Sequence, residues 1–277
     1  MAKDFGVRCR HPGRARRLIA RLSVFGEPAA LALGRFGVLI QKIANTLRFE
    51  HFWARHVTAD PRTIVVPSFT KSRSKHEIWD LALACARDLG HVGKILEFGT
   101  NNGGSLRYFW RNVPESFTLY GFDCFEGIPE EWDSLPKGAI KGYGFPSELW
   151  ADDLALQKTI AEQVRLTGEF PQPTQPNIRI DKGLFAHSVP RFLCGGVPQD
   201  IRLIHFDADI YMGTRPVLDS ICGQLGYRYY VLFDELYSVN HEFRAWTEFV
   251  ENFNVEKWRV VAISEDGVQA LFEVNGA

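Results

Sequence analysis

Two acidic pairs, Asp207-Ala208-Asp209 and Asp234-Glu235, each follow a short apolar run in this chain of 277 residues. If those runs are neighbouring strands, four carboxylates converge and repel one another. They are then splayed into solvent, neutralised by arginines, or gathered on a cation. A lone strand-end Asp would ordinarily cap the next helix. Two pairs on adjacent strands favour the cation, and oxygen ligands without cysteine or a histidine pair favour Mg²⁺, Mn²⁺ or Ca²⁺ over zinc. Two more carboxylates flank a glycine-rich turn. Glu97 precedes Gly99-Thr100-Asn101-Asn102-Gly103-Gly104-Ser105, and Asp123 ends Tyr120-Gly121-Phe122. The glycines admit a ligand to the main chain, and the helix that follows offers unpaired N–H groups. Glu97 would repel a diphosphate but attract the ammonium of an amino-acid-like ligand. Asp123 lies where doubly wound folds hold ribose hydroxyls, about 20 residues after the first strand.

These residues need strand ends on one edge, and the patterning supplies them. Apolar runs end at Glu97, Asp123, Ile180, Phe206 and Phe233, and residues 260–263 and 268–274 form a closing pair compatible with an antiparallel hairpin. Helical spacing over Lys75–Leu89, stopped by Gly90, predicts a helix before the first strand. The alternation predicts an α/β fold, a doubly wound, mostly parallel sheet whose ligands sit beyond the carboxyl ends of the strands. Residues 75–277 are read as the catalytic domain and 1–74 as a helical extension and connector. The insertion at 126–176, with glycines at 138, 142 and 144, is read as a lid.

Hydrophobic residues make up 45% and charged residues 23%, as in ordinary globular proteins, and the formal net charge of −1 gives no case for nucleic-acid binding. Five scattered cysteines (9, 85, 124, 194 and 222) without CxxC spacing fit reduced thiols and a cytoplasmic location. The apolar run from Ala29 to Ile40 contains Arg35 and is too short to span a bilayer, so no stable membrane insertion is expected. Residues 1–22 are basic, and the helical stretch after them, ending near Phe52-Trp53, is read as packing on the domain or on a second subunit of a homo-oligomer. Three histidines complete the inventory. His187 is read as a surface residue, His205 as a hydrogen-bonded core residue, and His241 as a cleft residue that would take a proton if Asp209 does not. Arg244 is placed either to offset the carboxylates or to pair with Glu248 one helical turn on.

Together these motifs resemble the class I S-adenosylmethionine-dependent methyltransferases and, more closely, the macrocin O-methyltransferase family. The likeness is carried by Glu97 to Ser105, by Gly121-Phe122-Asp123-Cys124-Phe125-Glu126-Gly127-Ile128-Pro129, by Asp207 to Tyr211 with Thr214, and by Phe233-Asp234-Glu235 with Arg244 and Phe249. The resemblance implies S-adenosyl-L-methionine as cofactor, bound by Glu97, Gly99, Thr100, Asn101, Gly103, Ser105, Asp123, Lys182, Gly183 and Asp207. It further implies Mg²⁺ or Mn²⁺ on Asp207, Asp234 and Glu235, Asp209 as base, and a small hydroxylated acceptor, a sugar or other natural product. Glu235 stands where the family usually has Asp. Ile210 stands where related catechol-type enzymes have a lysine base, which gives Asp209 more weight. Two rivals remain at this point, a degenerate binding module and a nicotinamide-dependent oxidoreductase. Glu97 before the glycine turn and Asn101 in place of a second glycine argue against the latter.

Overall fold

The computed structural model describes residues 26–68, 71–132, 135–142, 144–150, 153–167, 169, 173 and 175–276; the basic stretch 1–22 and Cys9 lie outside them. The chain divides into two compact units, 1–46 and 47–277. In the first, helix α1 (Gly26–Phe52) begins; Gln41 donates to Asn45 Oδ1 at 3.1 Å, and Phe36, Leu39, Ile40 and Ile43 are exposed.

The second unit takes α1 through Phe52 into a π-helical turn, Trp53–Thr58, and holds one eight-stranded sheet. Its strands are β1 (Ile64–Val66), β2 (Gly93–Phe98), β3 (Phe117–Asp123), β4 (Ile178–Lys182), β5 (Ile201–Phe206), β6 (Arg228–Phe233), β7 (Trp258–Ser264) and β8 (Ala270–Asn275). The spatial order is β1-β7-β8-β6-β5-β2-β3-β4, and only β8 runs antiparallel to its neighbours. The expected doubly wound sheet and closing hairpin are therefore present. β1 is an addition within the segment read as a connector. It pairs with β7, with Ile64 opposite Ala262.

Burial on both faces explains why the strands read as apolar runs. On one face Phe98, Phe122, Phe206 and Phe233 pack with α5 (Phe185–Phe192), α6 (Tyr211–Ser220) and α7 (Glu242–Phe253). On the other, Ile95, Leu119 and Leu203 pack with α2 (Lys71–Asp88) and α3 (Gly104–Asn112). Period-two alternation then puts Glu97 and His205 on the α2 face of β2 and β5, opposite each other in register.

The insertion is anchored at both ends. Ile128 and Gly138–Ala139 exchange main-chain hydrogen bonds (2.8 and 2.9 Å), and the Glu148 N–H donates to Asn102 O at 2.7 Å. Phe145, Leu149 and Trp150 are buried in the α2-side core, and α4 (Leu154–Thr167) follows, burying Ile160.

Candidate active site

The glycine turn begins where the chain leaving β2 is still pressed against the end of β5. The Asp207 N–H still donates to Phe98 O at 2.9 Å, but at Gly99 the two chains are so close that a Cβ would stand 1.8 Å from Asp207 O. Only glycine fits, and its φ of +98° demands glycine as well. Asp123 fixes the far side of the turn: Oδ2 accepts from the Asn101 N–H at 2.7 Å, and Oδ1 accepts from the Phe125 N–H at 2.6 Å. A carboxylate has roughly four lone-pair directions, so two remain for ligand hydroxyls. Burial holds the Asp123 carboxyl above its ordinary pKa against those two hydrogen bonds, and Glu97 adds to the rise.

A cavity of about 250 Å³ opens here, lined by Gly99, Asn101, Asp123, Gly183, Asp207 and Asp209 among others. Gly183 donates its N–H to Asp123 O at 2.8 Å. Lys182 ends β4 beside Asp123 and is not among the cavity residues; its carbonyl accepts from Arg191 at 3.0 Å. A second cavity adjoins the first, sharing Asn101 and Asp207 and adding Thr100, Ser105 and Lys75. Gly103, with φ +84°, starts α3 without a side-chain cap. The Glu148 carboxylate lies at that helix start, 2.8 Å from where a Cβ on Gly104 would be, as suits an acid at a helix N-terminus. Three of the non-glycine residues with positive φ, Asn101 (+44°), Ile140 (+57°) and Asp209 (+62°), line the first cavity. Strained backbone of this kind is kept where a side chain must be aimed.

The acidic cluster lies where the two cavities meet. His205, Asp207 and Asp234 offer ligand atoms within 4.8 Å of one another. His205 is fully buried as expected, and its Nδ1 lies 3.1 Å from Glu97 Oε2. With the proton on Nδ1, facing Glu97, Nε2 keeps its lone pair. Glu97 Oε1, His205 Nε2 and Asp234 Oδ1 are buried with no partner among the described residues. Such orphaned atoms and this donor set fit a divalent cation, and the imidazole widens the choice toward Mn²⁺. Glu235 is not in the cluster; it is nearly buried, and its N–H donates to Glu242 Oε2 at 3.1 Å.

The counter-charge is a lysine rather than an arginine. Lys75, near the start of α2, donates from Nζ to Asp234 Oδ2 at 2.7 Å, with 4.9 Å to the Trp79 ring centroid. Burial works against its ammonium, yet Asp207, Asp234 and Glu235 together raise its pKa. Asp207 is held well above the usual carboxylate range by burial and by Asp234, against the pull of Lys75. Glu242, fully buried at the start of α7, is raised in the same way by burial and by Asp209.

Lys75 and Glu242 escaped the sequence reading. Lys75 meets Asp234 across 159 positions, and no local spacing signals that. Glu242 had one signal, an acid at the start of the helix after the last acidic strand end. Arg244 pairs with Glu248 at 2.8 Å, as one of its two readings expected, and stacks on Tyr211. His241 lines neither cavity; its Nδ1 accepts from the Tyr211 N–H at 3.3 Å, two residues past Asp209.

A doubly wound sheet with a reversed eighth strand, a glycine turn between two acidic strand ends, and a cavity at the carboxyl edge define a Rossmann-like methyltransferase that draws on S-adenosyl-L-methionine. The pattern of the family described as Macrocin-O-methyltransferase (TylF) matches residues 81–269, and the chain belongs to that family of O-methyltransferases. No curated protein matches it. Among solved structures, it is similar to the calicheamicin methyltransferase CalS11, with 19% identity over 84% of this chain and 91% of that one (TM-score 0.50). It is also similar to the O-methyltransferase NovP, with 18% identity over 73% and 79% (TM-score 0.48). The CalS11 likeness is one of fold. Family membership removes the oxidoreductase reading.

Proposed function

We propose that the chain methylates a hydroxyl of a sugar or other natural-product small molecule and depends on a divalent cation, Mg²⁺ or Mn²⁺. The observation that carries this reading is the junction of the two cavities at Asp207, with Asp209 on one side and the Asp207–Asp234–His205 cluster on the other. CalS11 is described as a TDP-rhamnose 3'-O-methyltransferase, which agrees with a sugar acceptor.

S-adenosyl-L-methionine supplies an electrophilic methyl group. Asp123 would orient its ribose, and Gly183 would lie beside the adenine. Gly99, Thr100, Asn101, Gly103 and Ser105 would face its amino-acid part, and Glu97, fully buried and in neither cavity lining, would act on its ammonium by charge rather than by direct contact. Asp207 and Asp234 would hold the cation, with His205 or Glu235 completing the set, and a bound cation would supply Lewis acidity toward the acceptor hydroxyl. Asp209, aimed by its left-handed backbone, takes the proton as the oxygen attacks. His241 braces the Asp209–Tyr211 turn and is the second candidate proton acceptor. The rest of the catalysis is alignment of oxygen, carbon and sulfur along one line.

Three further readings belong with this one. The catalytic domain, read as 75–277, is extended at its amino end by β1, which pairs with β7, and the residues before that strand make up the extension. The apolar residues exposed on α1 support a homo-oligomer, which sedimentation at two protein concentrations tests directly. The third is a cytoplasmic location; no helix among the described residues is long and apolar enough to cross a membrane.

A panel of glycosylated and phenolic natural products, assayed for methyl transfer with Mg²⁺ and with a chelator, tests the function. Transfer to none of them rejects the acceptor class, and an unchanged rate under chelation rejects the cation.

A further inference from the structure

Lys75 plays no part in the methyl transfer described above, yet its ammonium sits inside the cluster that is read as a cation site. Asp234 is 3% exposed; its Oδ2 is taken by Lys75 Nζ at 2.7 Å, and its Oδ1 is buried without a partner. The ammonium also lies against the Trp79 ring and close enough to Asp207 to act on it. A monovalent charge thus already offsets part of the negative charge that would hold a divalent one. In a site with little water, an ammonium and a divalent ion a few ångströms apart repel each other strongly. A carboxylate oxygen committed to a charge-assisted hydrogen bond is also a poorer metal ligand until that bond is broken.

We infer that Lys75 is a built-in competitor for the divalent cation: its ammonium and the ion occupy the Asp207–Asp234 cluster in turn, and loading the ion detaches Lys75 from Asp234. This rests on the cation-dependent reading of the site. The exchange has two consequences. While the ion is absent, Asp234 stays paired and the start of α2 is tied to the end of β6. When the ion binds, the freed side chain has room in the second cavity, which it already lines with His76, Trp79, Tyr108 and Glu148. The first turns of α2 then lose their tether.

The test is calorimetric titration of Mn²⁺ into the full chain with S-adenosylhomocysteine present, for the unaltered protein, Lys75→Met, Lys75→Gln and Asp234→Asn. Two Lys75 variants are used so that a folding failure of one leaves the other to report. Both should bind Mn²⁺ more tightly, by about tenfold or more, the scale of one charge-assisted hydrogen bond. Hydrogen exchange over residues 71–79 should speed up when Mn²⁺ is added to the unaltered protein and stay constant in the Lys75 variants. Equal or weaker Mn²⁺ binding by both variants, with Asp234→Asn still impairing it, overturns the competition and leaves the cation site standing. If no chain binds Mn²⁺ saturably, or if Asp234→Asn leaves binding untouched, the cation reading itself fails and the inference goes with it.

Discussion

Asp209 and Asp207 are two residues apart but differ in backbone and company, and this separates their roles. Asp209, half-buried at φ +62°, faces the first cavity, whereas Asp207 belongs to both cavities and to the cluster with Asp234. Asp209→Asn keeps the shape and loses the base, so turnover should fall by about 10²–10⁴-fold while affinity for S-adenosylhomocysteine is unchanged. Steady-state kinetics and calorimetry on one preparation check this; near-full activity would pass the proton to His241 or to water. Asp123 carries a pH signature. Its carboxyl titrates above the ordinary Asp value because it is buried, and ribose hydroxyls need its ionised form. As pH falls toward that raised pKa, affinity for S-adenosylhomocysteine should drop, earlier than for an Asp with an ordinary pKa. Asp123→Asn should flatten the profile, and Asp123→Ala should weaken binding by about 1–3 kcal/mol at neutral pH. A flat profile in the unaltered protein would remove Asp123 from the ribose.

The elements explain what the sequence could and could not announce. β2, β3, β5 and β6 were legible because each is a short apolar run closed by an acid, and burial on both faces of the sheet enforces that pattern. β1 was not, since Ile64-Val65-Val66 is too short to show a period, lies between Pro61 and Pro67, and gains its strand character from β7, about 200 residues away. The same limit hid Lys75: the pattern of α2 marks which face is apolar, but not which distant carboxylate its first turn will meet. The glycine turn was legible as a turn; the reason for Gly99 emerges only from the main chain of β5. Gly99→Ala should therefore do more than strain one φ. With a Cβ 1.8 Å from Asp207 O, β2 and β5 must separate, and the chain should lose at least ~2 kcal/mol in urea unfolding along with cofactor binding. Gly138→Ala is the control. Its φ is +84° with nothing within 4 Å of the added carbon, so a loss of about 1–2 kcal/mol without loss of cofactor is expected.

At the scale of the whole molecule, the insertion roofs both cavities at once. Gly127, Ile128 and Ile140 lie on the first, Glu148 lies on the second, and a Cβ on Gly142 would meet the Asn101 and Asn102 side chains at 2.5 and 2.3 Å. Protection from hydrogen exchange over residues 137–145 should rise when cofactor and acceptor are both present, and equal protection with and without ligands would make this a rigid roof. A roof that rests on the glycine turn also imposes an order in time. If the nucleoside leaves only when the described part of residues 127–142 lifts from Asn101 and Asn102, that movement, which methyl transfer does not need, is the slower step. The first turnover should then outrun all later ones. Rapid mixing of enzyme already loaded with cofactor against excess acceptor should give a burst of methylated product close to one equivalent per site, followed by a slower steady rate set by departure of the spent cofactor. A linear time course from the first milliseconds would mean that chemistry, and not the roof, keeps the clock.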